Sequence, residues 1–297
     1  MPLHPCDSML ENRVGLDVRA ERFNTYFHML LREKFRNCCN ASYSMTVTQE
    51  NSPLGHIIHY DAQKRSANVT ETLHSLFPKK SHFEKPLKDC AVVGNGGILN
   101  NSYCGIEIDR ADFVIRLNLP PLYSVDDVGT KTDLVTANPS ILINKFRSLR
   151  EQRKPFITMM KEYGSSLILL PAFSFSMNTE VSYRALYTIE DFGMNSTVVF
   201  FNPDYLRQLH AYWRGMGLKF RRLSSGLMLV SVAAEVCENV TLYGFWPFSE
   251  DLDGVWIPHH YYDNVLPKSG FHGMSDEFHW YLKMHAKGSL RLNLGQC

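Results

Sequence analysis

The stretch from Cys90 to Pro121 constrains the fold more than any other part of the chain. A short apolar run, Ala91–Val93, is typical of a buried parallel strand, and Asp112–Leu119 has the apolar character of the next strand. Between them lie a predicted helix and a turn with three glycines, Gly94, Gly96 and Gly97. Such a unit directs backbone N–H groups to the carboxyl edge of a sheet, where phosphates can bind. The same residues are equally consistent with a tight turn that binds no ligand.

The glycine turn differs from the dinucleotide-binding fingerprint. Its spacing is not G-x-G-x-x-G, and no acidic residue follows at the position that would bind a ribose. A nicotinamide-dependent oxidoreductase is therefore disfavoured. The net charge of +1 likewise gives no sign of a nucleic-acid partner.

Beyond Cys90, apolar runs of strand length alternate with stretches of helical periodicity. The predicted strands are Ala91–Val93, Phe113–Asn118, Asp133–Ala137, Ser166–Leu170, Thr197–Phe201 and Val240–Gly244. The predicted helices are Ile141–Arg150, Pro155–Tyr163, Ser182–Asp191, Pro203–Gly215, Ser225–Cys237 and Ser275–Lys287. In the last helix, Ser275 is the predicted N-cap and Gly288 follows the end. This alternation predicts a single α/β domain with a mostly parallel sheet and helices on both faces.

The N-terminal part of the chain has a different composition. Residues 1–19 are polar and irregular, as is typical of the end of a stem or linker. Residues 20–36 carry aromatic and leucine side chains at helical spacing, and residues 40–85 are polar, with short helices and loops expected. We therefore expect a catalytic domain over 20–297, in which a helical segment (20–89) wraps an α/β core (90–297).

Cysteines and glycosylation sequons favour an oxidising, secretory compartment. The chain has seven Cys and N-x-S/T sequons at Asn40, Asn68, Asn100, Asn195 and Asn239. No apolar stretch reaches the ~18 residues of a membrane span, and the N-terminus lacks the apolar core of a signal peptide. We expect the targeting segment to lie upstream of this chain, unless the chain is an anchorless form.

Three further clusters could carry chemistry, and each also has an ordinary structural interpretation. Arg222–Gly226 precedes an apolar helix, so its hydroxyl and N–H groups could bind an anion or simply cap the helix. Tyr243–Phe248 ends a strand, where its rings could wall a base or sugar or fill the core. His259–Asp263, with His272 and Glu277 shortly after, could provide acid–base groups near neutral pH. With 12 His in the chain, such groupings also arise by chance.

No metal site is predicted. The Cys and His residues have neither zinc-finger spacing nor an H-E-x-x-H arrangement. Asp251-Leu252-Asp253 has the D-x-D pattern that can hold a divalent cation against a nucleotide diphosphate. It lies in an acidic loop with no strand leading directly into it, so a solvated loop is the better interpretation.

Taken together and in this order, the clusters resemble the four sialyl motifs of animal sialyltransferases. Cys90–Pro121 resembles the large motif, Arg222–Phe248 the small motif, His259–Asp263 the third motif and His272–Glu277 the very small motif. The segments VVGNGGIL, NLPPL, TANPSI, YGFWPF and HHYYDN are similar to the α2,8-sialyltransferase branch. Within that branch they resemble the sixth type, which acts on sialylated O-glycans.

The resemblance implies a GT-A-like domain of Rossmann type, linked by disulfides. It implies inverting transfer of sialic acid from CMP-sialic acid to the 8-hydroxyl of a terminal sialic acid, with no metal or cofactor. The implied acceptor is a sialylated glycoprotein, with a ganglioside as the alternative. An inactive relative that only binds CMP or sialoglycans is the alternative of another class. The implied location is the Golgi lumen, as a type II membrane protein anchored upstream, and the chain could form a homodimer.

Carried over residue by residue, the resemblance also implies roles within the site. It makes His272 the catalytic base and gives His260 a contact with the donor phosphate. The other donor-binding residues that it implies are Asn95, Asn118, Ser224, Ser225, Gly226, Trp246 and His259. The family usually has Ser-Thr-Gly where this chain has Ser224-Ser225-Gly226, so one methyl group is lost and the hydroxyl is kept. Glu277 is expected to support a loop or helix start rather than to react.

Two disulfides follow from the resemblance, Cys90–Cys237 and Cys104–Cys297. They leave Cys6, Cys38 and Cys39, an odd set in which a free or intermolecular thiol could occur.

Of all the features of the reaction, the sequence says least about the acceptor and the length of the product. Among the enzymes that this chain resembles, the polysialic acid synthases carry a strongly basic tract before the small motif. The corresponding stretch here is Asp191–Arg222. This stretch has five basic and two acidic residues, with Lys219, Arg221 and Arg222 crowded at its end. We expect from this mild excess that transfer stops at short products, mostly after one sialic acid.

Overall fold

The computed structural model describes residues 25–219, 221–266 and 272–297. The predicted stem at 1–19, Cys6 and the first residues of the helix predicted at 20–36 lie outside the described residues. The α-helices are α1 (Thr25–Cys38), α2 (Ala41–Ser44), α3 (Glu71–Ser75), α4 (Gly105–Arg110), α5 (Val125–Val128), α6 (Pro139–Asn144), α7 (Arg153–Met160), α8 (Ser176–Asp191), α9 (Pro203–Gly215), α10 (Ser225–Val236) and α11 (Met274–Ala286). The strands are β1 (Ile57–His59), β2 (Ser66–Asn68), β3 (Leu87–Val93), β4 (Phe113–Arg116), β5 (Leu134–Thr136), β6 (Leu167–Leu170), β7 (Thr197–Phe200), β8 (Cys237–Tyr243) and β9 (Arg291–Leu292).

Seven strands form the central sheet, in the order β7-β6-β5-β4-β3-β8-β9, and every neighbouring pair is parallel. The chain moves outward from β3 through β4 to β7 on one side, and from β8 to β9 on the other. Because the connections that leave β3 and β8 run in opposite directions, the carboxyl ends of these two strands form a topological switch point, where a crevice is expected. Ligands of open α/β sheets bind at such a switch point. The predicted α/β class is confirmed.

Apolar side chains from the strands alternate between two layers of core. On β7, Val199 joins one layer, whereas Val198 and Phe200 join the other. Burial on both faces explains why the strands are continuous apolar runs rather than alternating ones. Helix α10 is buried along almost its whole length, from Gly226 to Val236, because it lies between the sheet and α1.

All six strands predicted from apolar runs are present. Three further strands were missed. The two-residue β9 is too short to show a period, and the hairpin of β1 and β2 buries only Ile58 fully. The expected boundary at residue 90 also divides β3, which begins at Leu87 because Leu87 pairs with Cys237 of β8. The segment before the core is therefore a mixture of helices and a hairpin.

The predicted helices agree best where capping signals are strong. Helix α9 runs over Pro203–Gly215 as predicted, with Asn202 accepting a hydrogen bond from the N–H of Asp204. The helix predicted at 141–150 ends at Asn144, because the backbone of 147–149 has left-handed φ angles between 46° and 57°. The N-cap prediction at Ser275 is wrong, since α11 begins at Met274. Gly288 follows its end with a φ of 68°, as predicted.

The N-terminal segment is attached to the core through a buried carboxylate. Glu235 of α10 accepts hydrogen bonds from the backbone N–H groups of Ala41 (2.7 Å) and Ser42 (3.3 Å). The Nε of Arg32 donates to the Glu235 carbonyl at 2.7 Å. Burial raises the pKa of Glu235, and these N–H donors act in the opposite direction.

Three disulfides are formed among the described residues. Cys90–Cys237 joins the neighbouring strands β3 and β8, and Cys104–Cys297 ties the C-terminus to the start of α4. Both are the pairs that the resemblance implies. The third joins Cys38 to Cys39 directly, so neither of these residues supplies the expected free thiol.

Candidate active site

The glycine turn after β3 packs backbone against backbone. An added Cβ would lie 2.6 Å from the Gly244 carbonyl oxygen at Gly94, and 2.0 Å from the Pro258 carbonyl oxygen at Gly97. Only glycine allows these approaches. The expected helix does not start here, because Gly97–Leu99 is a single 3₁₀ turn and the next α-helix begins at Gly105. The glycines therefore bring together the turn after β3, the end of β8 and the segment that leads to His259.

Asn95 lies within this turn, and one polar atom of its side chain makes no hydrogen bond to the described residues. Its side-chain Nδ2 donates to the Leu117 carbonyl at 2.9 Å, and its own carbonyl accepts from the N–H of Tyr261 at 2.9 Å. Its Oδ1 is buried and has no hydrogen-bond partner among the described residues. A buried acceptor of this kind is costly unless a ligand or water donates to it.

Asn118 connects the ends of β4 and β5 to the start of α10. Its Oδ1 accepts from the backbone N–H of Asn138 at 3.0 Å. The Ser225 hydroxyl in turn donates to Oδ1 of Asn138 at 3.2 Å. Asn118 has a φ of 62°, a left-handed conformation that Asn adopts more readily than most residues. These contacts bring two of the predicted donor-binding residues into one hydrogen-bonded group.

The start of α10 is capped from two sides. The Ser224 hydroxyl accepts from the N–H of Leu227 at 3.0 Å, as an N-cap does. Glu277 of α11 accepts from the N–H of Ser224 at 2.8 Å and also from its hydroxyl. Helix geometry leaves the N–H groups of Ser225 and Gly226 without an intrahelical acceptor, at the positive end of the helix dipole. This end of α10 can therefore bind an anion.

Glu277 is buried, with 2% of its surface exposed. Burial raises the pKa of this carboxyl to about 7, although the two hydrogen bonds from Ser224 act to lower it. Its contacts run to the helix cap, which agrees with the structural role expected from the sequence.

His272 is oriented by a backbone carbonyl. Its Nδ1 lies 2.9 Å from the Arg222 carbonyl oxygen, which can only accept a hydrogen bond. Nδ1 of the neutral ring therefore carries the proton, and the lone pair falls on Nε2. Burial lowers the pKa of His272, and the charge of Arg222 lowers it further, although the hydrogen bond to the carbonyl raises it. The contact therefore fixes the orientation of the ring and the tautomer of the neutral imidazole.

The His259–His260 segment is fixed against the glycine turn. Residues Gly96 and His260 form an isolated antiparallel bridge. His260 Nδ1 lies 2.7 Å from Oδ1 of Asp263, and its ring stacks on Tyr262 at 5.1 Å. Because a carboxylate only accepts, Nδ1 carries a proton and Nε2 remains for another contact. Burial lowers the pKa of His259, and the neighbouring His260 lowers it further.

Trp246 packs against α11. Its ring contacts Phe248 (4.9 Å between centroids) and Phe278 (5.4 Å), and its Nε1 donates to the Glu250 carbonyl at 2.7 Å. The side chain is half-buried, so one part of the ring remains accessible. Its role beside a nucleotide stays a prediction.

The structure thus joins three of the predicted residues, Asn95, Asn118 and Ser225, through one hydrogen-bonded network. It runs from Tyr261 through Asn95 to the end of β4, and from Asn118 through Asn138 to α10. Asn138 was missed as a site residue. The signal was available, because Asn118 and Asn138 each follow a buried strand, and the ends of parallel strands meet at one edge of a sheet.

Across residues 25–219, 221–266 and 272–297, no group of three or more His, Cys, Asp or Glu side chains is arranged to hold a metal ion. No helix in these ranges is both long and apolar enough to span a membrane. Of the five sequons, Asn40, Asn68 and Asn195 are exposed, whereas Asn100 and Asn239 are half-buried.

Residues 40–289 match glycosyltransferase family 29 (sialyltransferase). An "Alpha-N-acetylneuraminide alpha-2,8-sialyltransferase" from Bos taurus is 49% identical over 273 residues, covering 90% of this chain and 76% of the relative. "Alpha-2,8-sialyltransferase 8F" from Homo sapiens is 46% identical over 270 residues, covering 90% of this chain and 68% of the relative. "Alpha-2,8-sialyltransferase 8E" from Mus musculus is 44% identical over 293 residues, covering 97% and 71%.

A solved structure is similar in fold. The crystal structure of a mammalian sialyltransferase superposes with a TM-score of 0.50 at 21% identity, covering 95% of this chain and 96% of that chain. At this identity the likeness concerns the fold alone.

Proposed function

The chain belongs to glycosyltransferase family 29, the sialyltransferases, and we propose that it transfers sialic acid from CMP-sialic acid to the 8-hydroxyl of a terminal sialic acid. The α2,8 linkage is supported by the names of three relatives that are 44–49% identical to this chain. The observation that carries the proposal is the His272 contact with the Arg222 carbonyl, because it orients the imidazole at a residue two positions before Ser224, the N-cap of α10.

The donor would bind across the crevice between β3 and β8. The buried Oδ1 of Asn95 can accept a hydrogen bond from the nucleoside, and Asn118 lies beside it at the end of β4. The N–H groups of Ser225 and Gly226 suit the donor carboxylate. His259, His260 and Trp246 complete the nucleotide side of the site.

The reaction then needs one proton acceptor and one group for the leaving phosphate. The 8-hydroxyl oxygen attacks the anomeric carbon while the bond to the CMP oxygen breaks on the opposite face, which inverts the configuration. His272 Nε2 takes the hydroxyl proton, and CMP leaves with the electron pair. The transition state is oxocarbenium-like, as in other glycosyl transfers. A base of this kind contributes about 10²–10⁴-fold.

His260 would act on the departing phosphate. With Nδ1 bonded to Asp263, Nε2 is the ring nitrogen that can donate a hydrogen bond to the charge that develops on the phosphate. We propose on this basis that the enzyme needs no metal.

The proposed acceptor is a sialylated O-glycan on a glycoprotein, and the proposed location is the Golgi lumen. Arg222, one of the three crowded basic residues, is engaged by Asp61 at 3.4 Å and by the Ser174 hydroxyl at 2.8 Å. This leaves a smaller basic surface for a long anionic product, and so supports short products. Comparing turnover on a sialylated O-glycopeptide and on a sialylated glycolipid tests the acceptor.

The direct test is transfer from CMP-sialic acid to an α2,3-sialylated O-glycopeptide in EDTA. We expect product with the wild type and a loss of about 10²–10⁴-fold with His272→Ala. His279→Ala is the matched control, because His279 is an exposed histidine on α11. Activity that survives His272→Ala would rule out the proposed base. CMP binding with neither transfer nor hydrolysis would favour an inactive relative.

A further inference from the structure

A basic, open cavity lies between the β1–β2 hairpin and helix α9, and the donor contacts described above do not use it. Its volume is about 600 Å³, within the ~300–1,000 Å³ typical of ligand pockets. The loop of the β1–β2 hairpin and helix α9 line it with His59, Tyr60, Gln63, Lys64, Arg65, Ser66 and Arg207. Three of these side chains are permanently cationic and none is acidic, so the lining suits an anion.

The hairpin loop that carries Lys64 and Arg65 is held in place by the core. The N–H groups of Asp61 and Ala62 donate to the carbonyls of Phe173 (3.3 Å) and Ser174 (3.2 Å), just after β6. The Tyr60 hydroxyl is hydrogen-bonded to the Thr179 hydroxyl at 2.6 Å. The cavity wall is therefore ordered before any ligand binds, which reduces the entropic cost of binding.

The basic side chains of the cavity differ in whether a carboxylate already pairs with them. Arg207 donates to the His59 carbonyl at 2.7 Å and pairs with Asp204, which fixes its guanidinium group. Within the described ranges, no carboxylate pairs with Lys64 or Arg65, and both side chains are exposed. A bound anion would therefore be attracted by two positive charges that no carboxylate neutralises.

The hairpin loop that lines the cavity is connected to the proposed base through Asp61 and Arg222. Asp61, in the same hairpin loop, lies 3.4 Å from the guanidinium of Arg222. The carbonyl of Arg222 holds His272 at 2.9 Å. Arg222 thus contacts both the hairpin loop that carries the cavity lining and the proposed base.

We propose that this cavity is an acceptor subsite that binds a carboxylate-bearing sugar of the sialylated acceptor. This inference rests on the proposed function, in which the acceptor itself is anionic. The carboxylate of the donor is already accounted for by the start of α10, so the charge of the cavity is left for the acceptor. Lys64 and Arg65 then determine acceptor specificity without taking part in the reaction.

The test is the double variant Lys64→Glu/Arg65→Glu, assayed in the full chain with CMP-sialic acid and an α2,3-sialylated O-glycopeptide. We expect the KM for the acceptor to rise about tenfold, because two exposed attractions become repulsions. The KM for the donor and the slow hydrolysis of CMP-sialic acid should not change. Lys88→Glu/Lys161→Glu is the control, because it makes the same charge change on exposed residues at the amino edge of the sheet.

A modified acceptor makes the assignment specific. Converting the acceptor carboxylate to its amide should raise the KM of the wild type and lower that of the double variant, because it removes an attraction in the first and a repulsion in the second; the two proteins should then have similar KM values for the amide. Additive losses, an unchanged acceptor KM, or an equal loss in the control variant would overturn the inference. If the wild type transfers sialic acid to no sialylated acceptor, the proposed function fails, and this inference fails with it.

Discussion

Glu277 accepts two hydrogen bonds from Ser224, one from its backbone N–H at 2.8 Å and one from its hydroxyl. These residues are 53 positions apart in the chain. The contact docks the start of α11, which follows His272, onto the start of α10. The position of the proposed base therefore depends on a buried carboxylate that does not itself react.

This carboxylate should make stability depend on pH. The pKa of Glu277 is raised to about 7 by burial, from an ordinary value of 4.5, so the folded protein binds a proton that the unfolded chain releases between these values. Its contribution is complete below pH 4.5 and is lost as the pH rises towards 7, by about 3 kcal/mol. Urea unfolding of wild type and Glu277→Gln over this range measures the difference. Equal pH slopes in the two proteins would contradict the prediction.

Substitutions of the adjacent residues Ser224 and Ser225 should have different effects, one on stability and the other on donor binding. Ser224→Ala removes the N-cap and one donor to Glu277, so we expect a loss of about 1–2 kcal/mol of unfolding free energy. Ser225→Ala removes only the contact with Asn138, so it should change stability by less than about 1 kcal/mol. It should instead raise the KM for CMP-sialic acid. Denaturant unfolding and donor titration distinguish these outcomes, and the reverse pattern would exclude the assignment.

The pH dependence of transfer should report His272. Because burial lowers its pKa from 6.5, the ring of the free enzyme stays neutral further into the acid range, and the acidic limb of kcat/KM should lie below pH 6.5. Arg222→Gln removes a charge that helps to lower this pKa, so the limb should move to higher pH. Both profiles are measured with subsaturating substrate, because kcat/KM reports the pKa values of the free enzyme. A limb that does not move in the variant would indicate another titrating group.

The close contact at Gly97 should not tolerate a methyl group. Gly97→Ala places a Cβ about 2.0 Å from the Pro258 carbonyl oxygen, which belongs to the backbone just before His259. We expect a loss of about 1–3 kcal/mol and weaker transfer, because the His259–His260 segment must move. Gly215→Ala is the control, since nothing lies within 4 Å of its added Cβ. Equal melting temperatures and activities for the two variants would argue against this contact.

Much of the fold could be predicted from the sequence because its signals are local. Strands buried on both faces are continuous apolar runs, and all six that were predicted are present. Helix α9 has its predicted bounds because Asn202 and Pro203 mark its start. Short elements with weak periodicity, such as the β1–β2 hairpin, gave no comparable signal.

The sequence by itself determined the α/β class, the order of the motifs and the chemical groups available for the proposed reaction. The tertiary structure decided how they meet. The strand order sets the end of β3 beside the end of β8, and only this order explains why Asn95 reaches Tyr261 and why Asn138 joins Asn118 to Ser225. It also brings the hairpin loop to Arg222. Periodicity and capping act over a few neighbouring residues, whereas these contacts join residues that become neighbours only when the sheet is assembled.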